Sequence, residues 1–230
     1  MRVKTTIVRY SDSVPTLTVP LVISELQKLY KPPRSFLNWE TPEQLLLATI
    51  LSAQCTDDRV NLVTKSLFKK YTKLEKYLTV PITELEKDIF SCGHYHNKAK
   101  FLRGTAKLLL EKYDGKVPKT MDDLIQFPGV GRKTAAIVLW AAYGQIEGLP
   151  VDTHVLRLAL RLGLTKNRDQ HKVERDLMSA TPKKDWPKVN PLLISHGRAV
   201  CTARNRNCEA CIFNRRCPSS TVLGKKDLAK

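Results

Sequence analysis

The sequence predicts an all-α protein. Apolar residues recur at helical spacing in one segment after another, helix start and stop residues frame those segments, and strand-like alternation is almost absent. Residues 43–53 read as an apolar helix entered through Thr41-Pro42, where a proline in the first turn gives up no hydrogen bond. Residues 58–71 place Val60, Val63, Leu67 and Tyr71 on one side of a second helix. Residues 97–113 repeat the pattern and stop at Asp114-Gly115, with Pro118 just beyond. Thr120, with Asp123 three positions on, is a variant of the capping box and opens the next segment. Amphipathic stretches follow at 153–162, 171–178 and 189–203. Lys31-Pro32-Pro33 and residues 148–150 read as crossings between two lobes, and Lys225-Lys226 as part of a solvated tail.

Composition narrows the partner. The 230-residue chain carries a formal charge of +17, which points to a polyanion such as nucleic acid, although a basic surface alone also serves solubility. Its longest apolar stretch, around 45–51, falls far short of the roughly 20 residues a membrane span needs. Arg2, Lys4 and Arg9 near the start are followed by no continuous apolar run, so no secretory signal is expected.

Four of the six cysteines form a C-x6-C-x2-C-x5-C array: Cys201, Cys208, Cys211 and Cys217. Small secreted scaffolds spread cysteines throughout because they lack a core, whereas this chain has ample apolar residues for one. Arg204, Arg206, Arg215 and Arg216 crowd the array, and nearby cations favour thiolates. A metal or metal cluster is therefore expected, and with it a reducing, intracellular compartment. Spacing alone leaves zinc and an iron–sulfur cluster open, because only Cys208 and Cys211 form the short pair usual for zinc. Cys55 and Cys92 read as small buried residues.

Between two helical segments lies Phe127-Pro128-Gly129-Val130-Gly131-Arg132-Lys133-Thr134-Ala135. Gly129 and Gly131 permit positive φ on either side of Val130, and Arg132 starts the next helix. Such a turn leaves backbone N–H groups free at a helix N-terminus, a cradle for phosphate. An ordinary helix–helix turn would look similar; the net charge favours contact with DNA phosphates.

Taken together, these motifs resemble the endonuclease III family of helix-hairpin-helix DNA glycosylases. The hairpin carries the resemblance, with Leu51-Ser52-Ala53-Gln54 upstream, Val151-Asp152-Thr153-His154 downstream, and His196-Gly197-Arg198 leading into the cysteines. In that order they span roughly residues 40–217. The resemblance implies a [4Fe–4S] cluster on the four cysteines. It also implies a six-helix barrel-like lobe over residues 35–147, which carries the hairpin. A cluster lobe is built from 1–34 and 148–218, a basic tail covers 219–230, and the active site lies in the cleft between the lobes.

The implied chemistry is removal of oxidised pyrimidines from duplex DNA, followed by nicking through β-elimination. Lys133 matches the family's nucleophile, which forms a Schiff base with the sugar. At an ordinary pKa of about 10.4 few lysines are neutral at physiological pH, and the positive end of a helix dipole disfavours the proton. Asp152 matches the catalytic carboxylate and also reads as a helix N-cap, roles that coexist if one oxygen caps while the other faces the site. Gln54 matches the residue that fills the gap left by an extruded nucleotide. Gly129, Gly131, Arg132, Arg204 and Arg206 are the implied phosphate contacts. His94 stands where relatives often place an aliphatic wedge, and Trp140 and Asn190-Pro191 also depart from common bacterial members. A monomeric protein of the cytoplasm or nucleoid, acting on a damaged base or abasic site, completes the expectation. The rivals are a monofunctional mismatch glycosylase for adenine, thymine or uracil, and a non-catalytic iron–sulfur DNA-binding protein.

Overall fold

The computed structural model describes residues 16–222; the start of the predicted 1–34 segment and the end of the predicted basic tail, 223–230, lie outside the described residues. Eleven α-helices follow in order: α1 (Val19–Leu29), α2 (Pro42–Leu51), α3 (Asp57–Lys70), α4 (Leu74–Thr79), α5 (Ile82–Asp88), α6 (Tyr95–Tyr113), α7 (Met121–Leu124), α8 (Arg132–Tyr143), α9 (Thr153–Arg161), α10 (Gln170–Ser179) and α11 (Trp186–Ala199). No strand occurs among the described residues, where an isolated bridge joins Cys201 to Arg206. The fold is all-α.

Local chemistry accounts for most helix starts. Thr18, Thr41, Thr56, Thr120, Asp152 and Asp169 each accept a hydrogen bond from a backbone N–H three residues on. Each such cap is worth about 1 kcal/mol. Three helices depart from the sequence expectation by two residues or more, and α2 is one of them, ending at Leu51 rather than at 53. Helix α6 begins two residues earlier than 97, because Gly93 (φ +68) and His94 (φ +47) turn the chain into it. Helix α11 occupies Trp186–Ala199 rather than 189–203: Pro187 suits its first turn, and the chain leaves the helix at Val200 so that Cys201 can enter the cysteine loop. Helices α1, α4 and α5 are absent from the sequence expectation, and α4 and α5, at six and seven residues, are too short to display a period.

Apolar burial gathers into two cores. The first centres on α2, whose residues Leu45 to Leu51 are all buried, and packs them against α3, α6 and α8. A helix apolar on every side belongs inside a lobe. The second joins Leu17, Val22 and Leu26 near the start of the chain to Leu158, Leu193 and Phe213 near its end. Its α1 lies against α11, so chain ends far apart in sequence share one interior. Between the cores, Arg198 of α11 pairs with Asp57 of α3 at 2.5 Å and its guanidinium lies 4.8 Å from the centre of the Phe36 ring. Among the described residues, no helix is long and apolar enough to cross a membrane.

Candidate active site and cysteine loop

A cleft of about 710 Å³ lies where the two cores meet. Gln54, Lys133 and Trp140 line it from one side, and Asp152, His154 and Asn190 from the other. This is the usual position for a ligand site, between packed units.

Lys133 is the second residue of α8, exposed on the cleft wall. The preceding hairpin uses its glycines unequally. Gly129 alone takes positive φ (+76), and a Cβ there would come within 2.6 Å of the Phe101 ring, so both conformation and space demand glycine. Gly131 is extended at φ −98 and is the N-cap of α8, with open space where a Cβ would stand. This corrects the expectation of positive φ on both sides of Val130: Gly131 relieves no strain and keeps its side of the backbone bare. No side chain caps α8, whose first internal bond runs from the Ala135 N–H to the Gly131 carbonyl at 3.0 Å. The N–H groups of Gly131 to Thr134 thus stay available to an anion, while Val130 donates to the Phe127 carbonyl at 3.0 Å. Gly129, Gly131 and Arg132 lie beside the cleft and are not part of its lining.

Asp152 is the N-cap of α9. Its Oδ1 accepts the Val155 N–H at 2.8 Å, and the residue lines the cleft, so the cap holds the carboxylate in place. Two residues on, His154 shares a 3.1 Å contact with Arg157. Burial holds the His154 imidazole below its ordinary pKa against the pull of Asp152, keeping the ring neutral near pH 7. Asn190 donates to the Pro150 carbonyl at 3.0 Å and ties α11 to the strap ahead of Asp152. Trp140 stacks under Arg34 at 5.1 Å.

Three non-glycine residues take positive φ among the described residues: Gln54 (+53), His94 (+47) and Asp114 (+51). Asp114 ends α6 as a left-handed C-cap. Gln54 and His94 are exposed, and a left-handed conformation there stores strain of the kind that collects at functional positions. Gln54 reaches the cleft; His94 is not among its lining residues.

The four array cysteines line one small cavity, together with Arg161, His196 and Arg206. No three His, Cys, Asp or Glu side chains among the described residues converge closely enough to hold a single ion. Arg161 anchors the loop, donating to the carbonyls of Thr202 (2.7 Å) and Ala203 (3.1 Å) and to the Cys201 sulfur (3.3 Å). His196 is buried between the Tyr30 hydroxyl at 3.1 Å and the Cys211 sulfur at 3.4 Å. Burial pushes the Cys211 thiol up to about 11 and raises Cys217 as well. At Cys208 burial works against the thiolate, yet hydrogen bonds from Thr221 and the Arg206 charge outweigh it and bring the thiol below its usual value. Arg204 and Arg206 are exposed on the loop.

Sequence reasoning assigned no role to Arg161, Arg157 or the Asp57–Arg198 pair, whereas Trp140 and Asn190, marked as departures bearing on packing or the pocket wall, both line the cleft. Arg161 carried one faint sign, a cation in the last turn of an amphipathic helix. Cys55, expected to be buried, is half-buried and lines the cleft; Cys92 is buried.

Residues 47–183 match the family described as HhH-GPD superfamily base excision DNA repair protein. The chain is 48% identical to endonuclease III of Synechocystis sp. over 195 residues, covering 85% of this chain and 89% of that one. It is 45% identical to endonuclease III of Bacillus subtilis over 190 residues, covering 82% and 86%. Its fold superposes on a trapped endonuclease III–DNA covalent intermediate with a TM-score of 0.83 at 40% identity, covering 88% of this chain and 97% of that one. A non-covalent endonuclease III–DNA complex gives a TM-score of 0.84 at 39% identity, covering 93% and 100%.

Proposed function

This chain belongs to the HhH-GPD superfamily of base excision DNA repair proteins, and we propose that its cleft takes up an oxidised pyrimidine nucleotide turned out of duplex DNA. The protein is a DNA glycosylase with AP lyase activity, in the manner of its endonuclease III relatives. One observation carries the reading: Lys133 and Asp152, from helices rooted in different cores, line the same cleft.

Lys133, as the neutral amine, adds to C1′ of the extruded sugar while the glycosidic bond breaks and the base leaves as its anion, which takes a proton from water. Asp152 accepts the proton that the lysine must lose and stabilises the positive charge that develops on the sugar. Return of that proton to O4′ opens the C1′–O4′ bond and leaves an iminium, which acidifies the C2′ hydrogen. Loss of that proton expels the 3′-phosphate and nicks the strand. Gln54 fills the space the nucleotide left and His94 wedges the opposite strand, and their exposed left-handed positions support both assignments. The hairpin N–H groups of Gly129, Gly131 and Arg132 grip phosphate, and Arg204 and Arg206 add contacts from the cysteine loop.

The donor set of Cys201, Cys208, Cys211 and Cys217 around one cavity fits a [4Fe–4S] cluster. When bound, the cluster supplies rigidity to the loop and a one-electron redox centre. Of the described residues, 35–147 form the hairpin lobe and 16–34 with 148–218 the cluster lobe, and the protein works as an intracellular monomer.

The test is borohydride trapping on a duplex carrying an oxidised pyrimidine. A covalent protein–DNA adduct is expected from the native protein and none from Lys133→Gln, whose base release also collapses. Base release that survives Lys133→Gln intact would assign the chain to the monofunctional glycosylases instead.

A further inference from the structure

Two thiols outside the cysteine array remain unexplained, and they flank the two strained residues. Cys55 directly follows Gln54, and Cys92 is two residues before His94. The 90–92 turn packs on α3, which begins just after Cys55, and Cys55 rests against the core that buries Cys92. Cys55 and Cys92 thus meet at one edge of that core, and the Cys55 thiol bears on the ionisation of Cys92. Beside them lies Lys98, only 3% exposed, whose ammonium donates to the Cys92 carbonyl at 2.8 Å and is within electrostatic reach of both thiols. Lys98 is a buried cation beside two thiols, and burial lowers its pKa. Burial pushes the Cys92 thiol up to about 11, with Cys55 adding to the rise and Lys98 opposing it.

We propose that Cys55 and Cys92 form a reversible dithiol–disulfide pair that ties the Gln54 loop to the His94 turn. The oxidant is a low-molecular-weight aliphatic disulfide. Cys55, half-buried on the cleft wall, attacks it first and expels one small thiolate, leaving a mixed disulfide. Cys92, 2% exposed in the core that Cys55 borders, then displaces the second small thiolate. The two protons lost by the protein thiols go to the two departing thiolates. Two protein thiols are oxidised and one small disulfide is reduced. Disulfide geometry is narrow, so closure draws the two loops toward each other. Residues that must separate to enter a duplex are thereby held. The functional half of this proposal rests on the roles given above to Gln54 and His94; the bond itself does not.

The experiment treats the cluster-loaded, full-length protein with glutathione disulfide in mildly alkaline buffer, with visible absorbance recorded to show that the cluster persists. Blocked, digested protein is then searched by mass spectrometry for a peptide pair joined through Cys55 and Cys92. Binding to a duplex bearing a tetrahydrofuran abasic analogue is measured in parallel. The expected result is the joined pair with affinity weakened about tenfold, near 1.4 kcal/mol, and restored by a thiol reductant. Cys55→Ser keeps its affinity under the same treatment, and Cys92→Ala stops at the mixed disulfide, seen as one added glutathione on the Cys55 peptide. Absence of both the joined pair and that trapped adduct, or equal weakening in Cys55→Ser, overturns the disulfide. A joined pair with unchanged affinity overturns the link to DNA while leaving the glycosylase reading intact.

Discussion

Helices α8 and α9 bring their N-termini to one cleft from different cores, and they satisfy the same backbone need in opposite ways. Every helix start has N–H groups without internal partners. At α9 the Asp152 carboxylate takes one of them at 2.8 Å. At α8 no side chain does, and the N-cap is a glycine with empty space around it. The first arrangement spends a helix end on positioning a negative group. The second leaves a helix end free for a negative group that comes with the substrate. The contrast teaches that a structural cap and a catalytic carboxylate need not be alternatives, and that a missing cap at an exposed helix start is itself a feature.

Substitutions can separate these uses. The largest effect is expected at Asp152→Asn, because asparagine caps as well as aspartate but cannot take the proton. Base release should fall about 10²- to 10⁴-fold, with thermal stability near that of the native protein. An equal loss of both would mean that Asp152 is a cap only.

Next is Gly129→Ala, which forces both a left-handed backbone and a clash with Phe101. A loss of about 1–3 kcal/mol in urea unfolding is expected, with weaker binding to undamaged duplex because α8 is no longer aimed. Gly131→Asp tests the empty cap directly. There is room for the side chain, so α8 should gain about 0.3 kcal/mol, while affinity for duplex drops as the carboxylate occupies the N–H groups and repels phosphate. Unchanged affinity would remove the hairpin from the binding surface. The smallest effect belongs to Arg204→Ala, exposed on the cysteine loop. Its duplex affinity should fall uniformly across sequences, and the slope of log affinity against log salt should lessen by about 1.

Much of this architecture is legible in the sequence, wherever local rules act within a few residues. Thr41, Thr120 and Asp152 announce their helices because a cap and its N–H partner are three positions apart. The cysteine array is legible for the same reason. Short helices such as α4 and α5 are not, since six or seven residues cannot complete a recognisable period. Nor is the end of α11, where the demand that Cys201 join its loop overrides continued helix. Arg161 shows the limit most clearly: its acceptors lie some forty residues away, at Thr202 and Ala203, and nothing at position 161 names them.

By itself, then, the sequence determined the helical class, most of the helix starts, the phosphate-ready hairpin, the cysteine array and the strongly basic character. Each of these depends on residues near one another along the chain. Only the tertiary structure decided that Lys133 and Asp152 share a cleft, that Arg198 reaches Asp57 across it, and that Cys55 lies beside Cys92. Those outcomes depend on how two cores pack, and packing is set by the summed burial of many apolar side chains rather than by any local pattern.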